Sequence, residues 1–129
     1  MRLLLDTHIW LWAVMEPERL NPAIRTAIET EVELVLSVAS LWEMAIKHAA
    51  GKLRIEGNLE TFRLTVTRMR GTELVIRPEH ALAAAALPQH HRGPFDRMLI
   101  AQATIEDLTL VTADEMVRSY GGDLLWAGD

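Results

Sequence analysis

The sequence of 129 residues predicts one domain of the three-layer α/β/α class, with a mostly parallel sheet of four to five strands. Two observations carry this prediction. Short β-rich runs alternate with helical stretches long enough to serve as crossover connections between parallel strands. Half of the residues are apolar, which provides for a hydrophobic core, and no glycine- or serine-rich linker divides the chain. We therefore treat residues 1–129 as a single domain.

Short apolar runs mark the predicted strands. The segments are 3–5 (LLL), 33–37 (ELVLS), 73–76 (ELVI) and 108–112 (LTLVT), with 123–126 (DLLW) as a candidate fifth strand. The first of them is apolar throughout, as expected of a strand that is buried on both faces.

Asparagine, proline and glycine mark the ends of the predicted helices. A first helix passes through Trp10 and Trp12, and Asn21-Pro22 has the N-cap and first-turn residues of a second. The remaining segments are VASLWEMAIKHAAG closing on Gly51, NLETFRLTVTRMRG between Asn58 and Gly71, an alanine-rich helix from Pro78 through Leu87, PFDRMLIAQATIED, and DEMVRSYG.

Composition and charge exclude several classes of protein. The chain has no cysteine, so it has neither disulfides nor thiolate metal sites, and its net charge of −5 argues against a general polyanion binder. Asp6 and His8 interrupt the first apolar run, which is therefore too short for a signal or a membrane-spanning helix. We expect a soluble cytoplasmic protein without a membrane anchor.

Four carboxylates are predicted to meet at one edge of the sheet. Asp6 directly follows the first strand and Asp114 lies just past the fourth, where the carboxyl ends of parallel strands form ligand sites. Asp96 falls in the first turn of a helix whose face continues into the core, and Glu43 lies in the helix after the second strand.

Each carboxylate also has an ordinary explanation. Asp6 fits a turn, Asp96 the positive end of a helix, and Asp114 an N-cap, while Glu43 and Lys47 have the spacing of a surface ion pair. Together, however, four uncompensated acids in one cleft would repel each other, and a divalent cation would remove the repulsion. Oxygen-only ligation suits Mg²⁺ or Mn²⁺, and such ions catalyse phosphodiester hydrolysis.

The histidines and tryptophans give weaker signals. His90 and His91 are adjacent, and no HExxH motif or spaced Cys/His set supports a zinc site. These two histidines fit a polar loop that either contacts phosphate or faces water. The four tryptophans fit the core or an interface better than base-stacking platforms, and a tryptophan exposed beside Leu11 would suit a dimer or partner surface.

Four blocks of the sequence resemble PIN-domain proteins, close to the VapC-type toxins of bacterial toxin–antitoxin pairs. The blocks are LLLDTHIWLW, SVASLWEMAIKHAAGKL, HHRGPFDRMLIAQA and LVTADEMVRSYG, in the family's order and spacing. The resemblance implies a PIN-like fold and a Mg²⁺- or Mn²⁺-dependent ribonuclease. It also implies a homodimer, and inhibition by a cognate antitoxin that often inserts a segment near the active site.

The resemblance maps the acidic site onto specific residues, namely Asp6, Glu43, Asp96 and Asp114. Asp6 and Asp96 are the first candidates for direct metal ligands. Thr7 and Thr112 are candidates for orienting the carboxylates, and Arg92 and Arg97 for holding RNA phosphates or, equally, for solvated surface charges. Gly93 departs from the aspartate common before this proline, which affects only the electrostatics of the rim.

Three other functions compete with this interpretation. An aspartyl-phosphate phosphatase of the haloacid dehalogenase type needs a second aspartate where His8 stands. A receiver domain needs a phosphorylated aspartate after strand three, where Ile76-Arg77-Pro78 has none. A nucleic-acid-binding regulator with a cleavage-silent acidic site would need a basic partner, given the low positive charge.

Overall fold

A computed structural model describes residues 2–30, 33–88 and 93–128. Five strands lie in one sheet: β1 (Arg2–Leu5), β2 (Glu33–Ser37), β3 (Gly71–Leu74), β4 (Thr109–Thr112) and β5 (Leu124–Trp126). Their order is β3-β2-β1-β4-β5, and every neighbouring pair is parallel. The predicted α/β class with a parallel five-stranded sheet is confirmed.

Helices connect the strands. They are α1 (Thr7–Met15), α2 (Pro22–Thr30), α3 (Val38–Ala49), α4 (Leu59–Arg68), α5 (Pro78–Ala86), α6 (Pro94–Ile105) and α7 (Glu115–Arg118), with a 3-10 turn at Pro17–Arg19. The predicted caps are present, since the side chains of Asn21 and Asn58 accept hydrogen bonds from the N–H groups of Ile24 and Thr61. Gly51, with a φ of 74°, follows α3 in the left-handed region that ends many helices.

The two faces of β1 are both buried, which explains its uninterrupted apolar sequence. Leu3 and Leu5 point to one side and belong to a core cluster with Trp10. Leu4 points to the other side and packs in a second cluster with Leu99. Because side chains alternate along a strand, burial on both faces requires an apolar residue at each of the three positions 3–5, which follow the exposed Arg2.

The third strand is shifted relative to its prediction. It covers Gly71–Leu74 instead of 73–76, and Val75 is 58% exposed beyond its end. The end of β3 is set by its pairing with β2, because β2 ends at Ser37, opposite Leu74. A Cβ on Gly71 would lie 2.5 Å from Val66 Cγ1, so glycine lets the strand begin close to α4.

The strand order places the site. β1 lies between β2 and β4 at the centre of the sheet, so the residues that follow these three strands share one edge. No helix in the described part of the chain is long and apolar enough to cross a membrane.

Candidate active site

Asp6 lies at the carboxyl end of β1 and begins α1. Its Oδ1 accepts a hydrogen bond of 3.1 Å from the Ile9 N–H, as an N-cap does, and its Oδ2 accepts one from the Thr112 hydroxyl on β4. The residue is only 5% exposed. Burial raises the pKa of the Asp6 carboxyl to about 6, and the nearby Asp96 charge adds to the increase, against the hydrogen bonds from Thr112 and Ile9.

Glu43 reaches the same region from α3, and both of its carboxylate oxygens have partners. Oε1 accepts a 2.6 Å hydrogen bond from the Thr7 hydroxyl, and Oε2 lies 2.7 Å from Lys47 Nζ. Thr7 Oγ1 also lies 2.9 Å from Ser40 Oγ. The prediction of four uncompensated acids is wrong for Glu43, because Lys47 neutralises it within the cleft.

Asp114 and Asp96 complete the acidic set. Asp114 caps α7 through a 2.8 Å hydrogen bond from the Met116 N–H, and its own N–H donates to Thr112 Oγ1 at 3.1 Å. Thr112 is fully buried and therefore links Asp6 to Asp114. Asp96 is partly buried in the first turn of α6.

One open cleft of about 500 Å³ contains all four acidic side chains. Its lining residues are Asp6, Thr7, His8, Trp12, Glu43, Lys47, Asp96, Ala113, Asp114 and Glu115. The predicted convergence of Asp6, Glu43, Asp96 and Asp114 at the carboxyl edge of the sheet agrees with this geometry. A fifth carboxylate, Glu115, was not predicted there.

The donor set of the cleft suits a hard divalent cation, because carboxylate and hydroxyl oxygens outnumber the single imidazole, that of His8, among its possible ligands. As the side chains stand, no three carboxylates or imidazoles within residues 2–30, 33–88 and 93–128 are close enough to hold one ion together. The hydrogen bonds of Asp6 and the Lys47 ion pair of Glu43 hold these groups in the protein's own network. A magnesium ion, which keeps several of its waters in proteins, fits such a wide arrangement.

The family model of the PIN domain matches residues 3–123. The chain belongs to the PIN-domain family. Ribonuclease VapC22 from Mycobacterium tuberculosis is 34% identical over 119 residues, which cover 91% of this chain and 90% of the relative. Membership of the PIN-domain family sets aside the phosphatase and receiver interpretations.

Solved structures share the fold of this PIN domain. A toxin–antitoxin complex from Klebsiella pneumoniae contains a chain with a TM-score of 0.69, 16% identity and 98% coverage of both chains. DNA-bound VapBC from Salmonella typhimurium gives 0.69 with 19% identity and 97% coverage of both. At these identities the likeness shows the PIN fold alone.

Of the two arginines predicted to hold phosphate, the structure describes only Arg97. Arg92 lies outside the described residues, as do His90 and His91. Arg97 is 8% exposed, and its guanidinium donates to the backbone carbonyls of Ala84, Ala85 and Leu87 at the end of α5. A phosphate contact would have to displace these hydrogen bonds. The placement in this PIN domain favours a structural role for Arg97, as a cap that holds α5 against α6.

Replacing Arg97 with Lys tests the structural role. Lysine keeps the charge but cannot donate in several directions from one plane, so carbonyls at the end of α5 lose their donor. We expect the free energy of unfolding to fall by about 1–3 kcal/mol in urea titrations, with the Michaelis constant for RNA unchanged. Unchanged stability with a raised Michaelis constant would instead support the phosphate role.

Besides Glu115, three further side chains of the cleft lining are absent from the sequence-based prediction: His8, Trp12 and Lys47. Their spacing held a usable signal, since His8 and Trp12 are one helical turn apart on α1, as are Glu43 and Lys47 on α3. The sequence instead favours Lys47 as the partner of Glu43 in a surface ion pair and the tryptophans as core or interface residues.

Proposed function

We propose that this chain is a Mg²⁺- or Mn²⁺-dependent endoribonuclease, the toxin of a VapC-type toxin–antitoxin pair. The observation that carries the proposal is one cleft with four carboxylates at the carboxyl edge of a parallel sheet. The 34% identity to a protein named ribonuclease supports RNA as the substrate.

In this proposal Asp6, Asp96, Asp114 and Glu43 hold the metal, directly or through water. The bound ion supplies activation of water and stabilisation of the charge that develops on the scissile phosphate. Thr112 and the Ile9 N–H hold the Asp6 carboxylate in place, and Thr7 orients Glu43. These hydrogen bonds preorganise the acidic groups before substrate binds.

Purified protein incubated with total RNA and Mg²⁺ tests the nuclease function. We expect discrete cleavage ends, which sequencing of the products would map, and complete loss of cleavage in excess EDTA. Restoring Mg²⁺ or Mn²⁺ should restore the same ends. Cleavage that persists in the chelator would exclude the metal mechanism, whereas RNA binding without cleavage at any metal concentration would favour a regulatory module with a silent site.

The proposed toxin role implies that the enzyme has protein partners. The structural neighbours include toxin–antitoxin complexes, some of them bound to DNA, and on that likeness we propose an antitoxin partner for this chain. A homodimer is proposed on the resemblance to VapC-type toxins alone. A free ribonuclease in the cytoplasm would damage its host. Expression of the wild type alone should therefore arrest growth, while Asp6→Asn at equal levels should not. Harmless wild-type expression would contradict the toxin role and leave the nuclease function intact.

A further inference from the structure

The candidate active-site cleft has a non-acidic wall formed by α1 and α3. His8 and Trp12 contribute to it from α1, and Lys47 contributes from α3, one turn after Glu43. These three residues form a cation and two aromatic rings beside the carboxylates. Lys47 pairs with Glu43 of the acidic centre, whereas His8 and Trp12 have no assigned part in it.

The two aromatic rings of this wall, those of His8 and Trp12, are held by contacts with each other and with their neighbours. The ring of His8 meets the ring of Trp12 edge-on, with centroids 6.4 Å apart and an interplanar angle of 62°. The Arg19 guanidinium lies over the Trp12 ring, 5.0 Å from its centroid, and Trp12 packs against the core. His8 itself is exposed. Trp12 thus supports an exposed ring at the edge of the cleft, a feature suited to stacking on an unpaired base.

The cationic half can reach a phosphate without leaving Glu43. Lys47 Nζ lies 2.7 Å from Glu43 Oε2, yet 42% of the Lys47 side chain is exposed. An ammonium group has three donors, and the Glu43 contact occupies one of them. Because the chain carries a net charge of −5 and this cleft is lined by carboxylates, an RNA backbone that enters it needs a local cation.

We propose that His8, Trp12 and Lys47 form a nucleotide subsite next to the acidic centre. Lys47 donates to a backbone phosphate of single-stranded RNA, and His8, supported by Trp12, stacks on an unpaired base. The inference rests on the proposed ribonuclease function, which it deepens by assigning substrate contacts.

Binding of two fluorescein-labelled octaribonucleotides, (rA)8 and (rU)8, tests the subsite. Fluorescence anisotropy is measured with Mg²⁺ across a KCl series, in an Asp96→Asn background that prevents cleavage. Lys47→Met should weaken the binding of both oligonucleotides. It should also reduce the magnitude of the slope of log K against log[salt] by about 0.7, as expected for the loss of one phosphate contact. The matched control is Lys52→Met, since Lys52 is exposed and lies outside the cleft lining. It should leave the slope unchanged.

The His8 variants test stacking separately. His8→Ala should lower the affinity for (rA)8 by about 5-fold or more and the affinity for (rU)8 by less, because adenine stacks more strongly than uracil. His8→Phe, which keeps a ring, should restore the difference. Thermal melts confirm that each variant is folded.

Two results would overturn the subsite. One is a salt slope that changes equally, or not at all, in Lys47→Met and Lys52→Met. The other is an effect of His8→Ala that is absent, is equal for both oligonucleotides, or is not restored by His8→Phe. If either occurs while the wild type cleaves RNA, the subsite alone is wrong. If the wild type neither binds nor cleaves RNA, the proposed function fails as well.

Discussion

Asp6→Asn is expected to lower the rate of RNA cleavage by at least about 10²-fold, because outer-shell partners of metal ligands already contribute 10- to 100-fold. The Asp6→Asn variant should retain the fold. Asparagine is as good an N-cap as aspartate, so its carbonyl oxygen can still accept from the Ile9 N–H. The change therefore removes a negative charge from the cleft at nearly constant shape. Asp96→Asn should have a similar effect, since Asp96 lines the same cleft.

Initial rates at saturating Mg²⁺, together with circular dichroism and thermal melts, measure this result. Glu115→Gln is the matched control, because Glu115 lines the cleft but is not a predicted ligand, and its side chain is exposed. We expect its rate to stay within about twofold of wild type, as is usual for a group outside the reaction. Equal losses in Asp6→Asn and Glu115→Gln would mean that the cleft acts only through its total charge.

The second large effect concerns stability without metal. Burial raises the pKa of Asp6 from 3.8 to about 6, so the folded protein binds a proton at Asp6 more tightly than the unfolded chain. The stability contributed by this proton is fully present below pH 4 and is lost as the pH rises through 6. A shift of this size corresponds to roughly 3 kcal/mol. In EDTA, Asp6→Asn should therefore be more stable than wild type at pH 7 and nearly equal to it below pH 4.

Urea titrations in EDTA at several pH values from below 4 to 7 measure the difference. Glu29→Gln is the control, because Glu29 is exposed on α2, and its curve should run parallel to wild type. At pH 7, Mg²⁺ at 100 times its dissociation constant should add about 2.7 kcal/mol to the wild type. Asp6→Asn should gain much less. Parallel pH curves for wild type and Asp6→Asn would show that Asp6 ionises in the folded protein as it does in the unfolded chain.

The comparison of sequence and structure is most instructive at the edge of the sheet. The positions of Asp6 after one apolar run and Asp114 after another were sufficient to predict that they share a cleft, because parallel strands align their carboxyl ends. The helix ends were equally readable, since Asn21 and Asn58 cap through contacts only three residues away. Capping is local chemistry, whereas the shared edge follows from the parallel pairing of β1 with β4.

Long-range packing decided what the sequence could not. The apolar run 73–76 predicted a strand, but β3 is shifted to Gly71–Leu74 because its pairing ends where β2 ends. Arg97 is similarly placed by the packing of α5 against α6, which directs its guanidinium onto α5 carbonyls. Thr112 joins Asp6 across 106 positions of the chain.

The sequence by itself therefore determined the class of the fold, the ends of most helices and the expectation that Asp6, Glu43, Asp96 and Asp114 line one cleft. Only the tertiary structure decided the long-range partners of these acids, Thr112 for Asp6 and Thr7 for Glu43, and the burial that shifts the pKa of Asp6. The physical reason is the distance along the chain over which each determinant acts. Periodicity and capping depend on neighbours within one or two turns, whereas burial and electrostatics depend on every element that packs around a side chain.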